Sequence, residues 1–249
     1  MRRRRTVLLI TIVLVVLVPA CDWMPGRPTP AERWKPKSEI KDFNQLYAQN
    51  CSGCHGANGG QGAAQPLNDP VYLALVSDEK LRQTTAHGVP SSLMPAYAES
   101  AGGTLTSAQI DVLVAGMRSR WARPNEFNNV GLPPYSIEDA IAKGSGPGNP
   151  DRGATVYKTY CAQCHGEEGR GGEKAGSIVD PNFLALVSDQ SLRTTVITGR
   201  PDMKKPDWRS NLDGQAMTPQ QISDVVAWLA SLRPGTEAKT PPEVKTARR

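Results

Sequence analysis

An all-α fold, built as two tandem copies of one module, is what this chain of 249 residues predicts. Three observations carry that expectation. The chain repeats itself: Tyr47 and Cys51 align with Tyr157 and Cys161 at an offset of 110. Asp69-Pro70 aligns with Asp180-Pro181, and the blocks 73–78 and 184–189 are identical, at an offset of 111. Ile110 and Ile222 then match at 112, so two loops of the second copy are each one residue longer. No segment alternates apolar with polar residues as a half-buried strand would. Finally, each copy closes on an amphipathic helical run, Ile110, Leu113, Val114, Met117 and Trp121 in one and Ile222, Val225, Val226, Leu229 and Leu232 in the other.

The elements follow in chain order. Residues 1–20 read as a signal peptide, with a basic stretch Arg2–Arg5 and a run of 13 residues from Thr6 to Val18. That run is short for a membrane span, which needs about 20. Small residues then precede Cys21, so the segment resembles a bacterial lipoprotein signal in which Cys21 is acylated. An uncleaved anchor and plain secretion are the alternatives. Residues 21–37 hold four prolines and no apolar periodicity, which predicts an extended tether reaching up to ~50 Å. Net charge is +5, but without Arg2–Arg5 the rest carries 25 basic against 24 acidic residues. The basic balance therefore belongs to targeting, and no nucleic-acid partner is expected.

The first module spans 38–124 and the second 151–233, with a linker at 125–150 and a charged, Pro-rich tail at 234–249 expected to be disordered. In each module a short helix leads into Cys-x-x-Cys-His and a Gly-rich loop. Asp69-Pro70 and Asp180-Pro181 predict an N-cap followed by proline in the first turn. Ser77 and Ser188 predict caps of helices ending near Gly88 and Gly199. The linker offers one short helix at Ile137–Ala142.

The pentapeptides are Cys51-Ser52-Gly53-Cys54-His55 and Cys161-Ala162-Gln163-Cys164-His165. This pattern is an attachment site for c-type haem. Two thiols three residues apart share one face of a helical turn and can both bind the porphyrin vinyls. The adjoining histidine reaches the iron as proximal ligand. Zinc would need a fourth ligand at better geometry, and a redox Cys-x-x-Cys needs neither the histidine nor a second copy. The chemistry predicted is thus two covalently bound haem c groups, held by Cys51, Cys54, Cys161 and Cys164, with His55 and His165 on the irons. The only other histidine is His87, and no Ser-His-Asp set or phosphate loop is present, which argues against hydrolase or transferase activity.

Both modules resemble class I cytochrome c domains, through the pentapeptides, the glycines after them and Met94-Pro95-Ala96-Tyr97 ahead of the last helix. The resemblance implies an all-α fold wrapped around each haem, with first and last helices crossing near a right angle. Phe43 and Gly116 in one copy stand where Gly153 and Trp228 stand in the other, so Phe43 should contact Gly116 and Gly153 should contact Trp228. The resemblance also implies a methionine as sixth ligand. Met94 fills that role in the first module, with His87 as competitor. In the second, Lys205 aligns with Met94, leaving Met203, Lys205, Met217 or an open iron, of which Met203 is preferred. The implied function is electron transfer between respiratory-chain partners, a donor complex and an oxidase or soluble carrier, by a protein tethered at the periplasmic face of the cytoplasmic membrane. A cytochrome subunit of a larger dehydrogenase, quinol-oxidising or oxidase complex is the alternative, and a small redox enzyme with an open second haem a weaker one.

Overall fold

A computed structural model describes residues 33–90, 92–209 and 215–235, with Gly26 and Thr29 besides. The signal segment, Cys21 and most of the tether and tail lie outside the described residues. Two compact units are present, 1–40 and 41–249. In the first, Lys37–Glu39 forms a 3₁₀ turn. The second holds both modules as eleven α-helices, with no strand among the described residues beyond isolated bridges.

Module 1 runs α1 Phe43–Asn50, α2 Ser52–His55, α3 Pro70–Leu75, α4 Asp78–His87 and α5 Ser107–Trp121. The linker contributes α6 Ile137–Ala142. Module 2 repeats the order as α7 Pro150–Tyr160, α8 Ala162–His165, α9 Pro181–Leu186, α10 Asp189–Thr198 and α11 Pro219–Ser231. Each predicted cap is made: Asp69 and Asp180 accept from the first turns of α3 and α9, and Ser77 and Ser188 from those of α4 and α10. Thr106 and Thr218 form full capping boxes with Gln109 and Gln221. One detail differs from the apolar pattern: Leu232 lies past the end of α11 and is 41% exposed.

The helix crossings have the expected complementary sizes. A Cβ on Gly116 would fall 2.0 Å from the Phe43 ring, and one on Gly153 would fall 2.7 Å from Trp228 Cβ. The last helices hold a second exchange, unseen in the alignment. Trp121 packs edge-on to Tyr47 at 5.4 Å, and Trp228 lies over the equivalent Tyr157 at 4.4 Å, although Trp121 aligns with Arg233. Arg118 binds Asp78 and the carbonyls of Leu73 and Val76. Arg233 binds Asp189 and the carbonyls of Leu184 and Val187, the same three positions, from just past the helix end. Long side chains rooted on different turns reach the same targets.

The modules are joined by core as well as chain. Val71 of α3 and Phe127 of the linker pack in one buried cluster with Tyr157, Ile197, Trp208 and Met217 of module 2. The linker is strapped down further along, where Arg193 donates twice to the Pro134 carbonyl and Gln190 donates to that of Tyr135. In module 1 the Tyr72 side chain on α3 is buried, whereas its counterpart Phe183 on α9 is 40% exposed. The difference comes from what covers the helix, since the two sequences are alike there.

Asp69 sits at this junction and should make stability pH-dependent. It caps α3 by accepting from Val71 N at 2.8 Å, while its other oxygen meets no donor. Burial, and then the nearby Asp207 and Asp202 carboxylates, push it up to about 6. A carboxyl that binds its proton more tightly when folded loses stability as pH rises through that range. Unfolding free energy is therefore expected to fall by about 2 kcal/mol between about pH 4 and 6 from this group. Asp69→Asn, which keeps the cap, should flatten the profile in pH-dependent thermal melts. An unchanged slope would show that the proton is not held there.

Candidate functional site: the two haem-attachment loops

The attachment loops are copies in backbone detail. Cys51 ends α1 with its N–H on Tyr47 O, and Cys161 ends α7 with its N–H on Tyr157 O, each at 2.8 Å. Each cysteine has φ near −118°, which kinks the chain so that a single helical turn carries the remaining four motif residues. Gly56 stops the first of these turns at φ +80°, where a Cβ would meet Gly60 O at 1.8 Å. Only glycine fits that reversal. Tyr47 and Tyr157 donate their hydroxyls to the carbonyls of Gly56 and Gly166. The tyrosines thereby fasten the loops to the first helices.

The histidines are oriented in the same way. His55 Nδ1 lies 2.7 Å from Gln65 O, and His165 Nδ1 lies 2.8 Å from Gly176 O. A carbonyl can only accept, so each Nδ1 carries the proton and each Nε2 keeps its lone pair for a metal. Burial pushes the His55 pKa down, which favours the neutral, ligating form. None of the four motif cysteines is tied up in a disulfide. Burial, helped by Cys54, pushes Cys51 up to about 11, and burial, helped by Cys164, pushes Cys161 up to about 12. Surroundings that disfavour a thiolate suit a neutral thioether. The residues present therefore fit a covalently attached haem, with Nε2 of His55 or His165 on its iron.

The loops on the other side diverge. In module 1, Val89 N donates to Met94 O at 3.0 Å; in module 2, Arg200 N donates to Lys205 O at 3.3 Å. Gly88 and Gly199 hold these turns at φ +71° and +66°. Lys205 thus takes the structural place of Met94, as the alignment predicts. Its ammonium group donates to the Lys174 carbonyl. Met203 closes a 3₁₀ turn and is 57% exposed. Met217 is buried in the core, with its N–H on Trp208 O matching Leu105 on Tyr97 O. His87 is exposed in the last turn of α4.

Sequence reasoning passed over the residues that link the two sites. Gln65 Nε2 donates to Thr198 Oγ1 at 3.1 Å, Gln61 N to Asp202 Oδ2 at 2.8 Å, and Arg200 to Gly62 O at 2.9 Å. One signal was available: Gln65 stands where the other copy has Gly176.

Comparison with known proteins agrees with this geometry. A family model described as "Cytochrome C oxidase, cbb3-type, subunit III" matches residues 38–115, and one described as "Cytochrome c" matches 150–233. The "Cytochrome bc1 complex cytochrome c subunit" of Mycobacterium bovis is 26% identical over 81% of this chain and 65% of its own length. The "Cbb3-type cytochrome c oxidase subunit FixP" of Azorhizobium caulinodans is 26% identical over 76% of this chain and 58% of its own. The chain thus spans less than two thirds of the length of these relatives. A solved chain of the reducing HAO-like protein complex of Kuenenia stuttgartiensis covers 81% of this chain at 21% identity, with a TM-score of 0.41.

Proposed function

This chain is two cytochrome c-type domains in tandem, each a haem c site, and from that premise we propose that it moves electrons between partners of a membrane respiratory chain. The observation that carries the proposal is the repeated setting of His55 and His165, each Nδ1 on a main-chain carbonyl and each Nε2 left for iron. Haem iron with both axial positions filled supplies reversible one-electron chemistry. The chain supplies attachment through Cys51, Cys54, Cys161 and Cys164 and fixed imidazoles. Met94 is the sixth ligand proposed for the first haem. For the second it is Met203, because Met217 is committed to the core and the Lys205 ammonium to a carbonyl. A lysine would have to lose that proton before it could bind.

No helix of the described residues is long and apolar enough to cross a membrane. The proposed attachment is the acylated Cys21, which would put both haems at the periplasmic face. The relatives named as subunits of a bc1 complex and of a cbb3-type oxidase favour work inside a larger assembly over a freely diffusing carrier. Gentle solubilisation of membranes and haem staining of a native gel tests this. The stained band is expected to co-migrate with quinol-oxidising or oxidase activity. A band running alone at the size of this 26.9 kDa chain would sink the subunit reading. Carbon monoxide binding by the reduced protein would separately sink the proposal that both sixth positions are filled.

A further inference from the structure

The hydrogen bond that holds His55 is anchored in the other module, and that of His165 is not. Gln65 offers its main-chain carbonyl to His55 Nδ1 and its side-chain amide to Thr198, at the end of α10. Thr198 is 1% exposed. Two further bonds fix the same loop to the same place. Asp202 accepts from Gln61 N and pairs with Arg200 at 2.9 Å, while Arg200 also donates to Gly62 O. Gln61 is held at φ +63°, a left-handed conformation that non-glycine residues rarely adopt, with its N–H on Asp202. In module 2 the acceptor is Gly176, which has no side chain and leaves open space where a Cβ would stand.

We infer that Gln65 is a positioning residue through which the docked second module sets the reduction potential of the first haem. The inference rests on the haem reading above. A firm acceptor on Nδ1–H makes the imidazole a better donor to iron, which favours the oxidised state and lowers the potential. Thr198 holds the Gln65 side chain, so it holds the peptide whose oxygen faces His55. Releasing that side chain loosens the acceptor, and the potential rises. The second haem has no such strap, so the two potentials differ on the histidine side as well as on the methionine side.

The test is a redox titration of the full-length holoprotein carrying Gln65→Ala, Thr198→Val, both together, or Thr198→Ser. Gln65→Ala and Thr198→Val should each shift the same one of the two midpoints upward and leave the other in place. The double variant should shift it no further than either single variant, because both remove one bond. Thr198→Ser, which keeps the hydroxyl, should restore the original value. Unmoved midpoints in chains that still hold two haems would overturn the inference, as would a Thr198→Ser shift equal to that of Thr198→Val. A wild-type pyridine haemochrome spectrum giving fewer than two haems per chain would instead overturn the haem reading itself.

Discussion

Replacing Arg193 with alanine is expected to destabilise the folded chain by about 4 kcal/mol, far more than the aligned Arg82→Ala. The two arginines occupy the same place on α10 and α4, yet their surroundings differ. Arg82 lies at the surface, with a side chain 41% exposed, and pairs with Asp111 at 2.5 Å. Such pairs stabilise little, because water already solvates both charges. Arg193 is 0% exposed, and Ser223 stands where Asp111 would be. Its guanidinium is satisfied by Pro134 O, at 3.1 and 2.8 Å, and by Ser223 Oγ at 3.1 Å. Burial depresses its pKa, although Asp139 on α6 supports the charge. Truncation would leave the Pro134 carbonyl without these donors beside a space the size of the lost side chain, while the Ser223 hydroxyl would keep its bond to Pro219 O. It would also remove one of the ties between the linker and module 2, leaving that of Gln190 to Tyr135 O. Denaturant unfolding of the two holoprotein variants measures the contrast, and equal costs would refute the assignment of Pro134 as the anchor.

Gly153→Ala should cost about 3 kcal/mol, more than Gly116→Ala at roughly 1–2 kcal/mol. Both glycines sit where first and last helices cross. Opposite Gly116 the obstruction is the ring of Phe43, a side chain that can turn aside, though only by disturbing its stack with Tyr47 at 5.5 Å. Opposite Gly153 it is the main-chain oxygen of Asp224, 2.1 Å from where the Cβ would be. A backbone cannot rotate away, so α7 and α11 must separate. Separation would also strain the Asp224 carboxylate, which accepts from Asn149 N and from Arg152 at 2.8 Å. Alanine's better helix propensity returns up to about 1 kcal/mol in each case and is included above. Thermal melts that ranked Gly116→Ala as the more damaging would contradict this account of the crossing.

Most helices were legible because their signals are local. Asp-Pro and the serines before α4 and α10 mark helix starts through bonds made within three residues, and all of them form. The attachment loops were legible for the same reason, since the pentapeptide, the tyrosine four residues before it and the glycine after it close on one another. The replacement of Met94 by Lys205 was visible as a register argument, and the matching turns bear out that register. The alignment did not reveal the Trp and Arg exchange on the last helices. It compares positions, whereas a long side chain serves whatever its far end can reach.

By itself the sequence determined two copies of one helical haem module and the size exchange at the crossings, and it supplied the cysteines and histidines proposed to serve each haem. Those features depend on residues close in the chain or on a repeat that can be compared with itself. Only the tertiary structure decided that the copies are unequal around their histidines. Gln65 meets Thr198 across 133 residues, and Arg193 meets Pro134 across 59. Each bond needs the linker to lie along module 2 and α3 to pack into its core. Such contacts are set by how apolar faces pair over long separations, and no local pattern encodes which polar groups that pairing brings together.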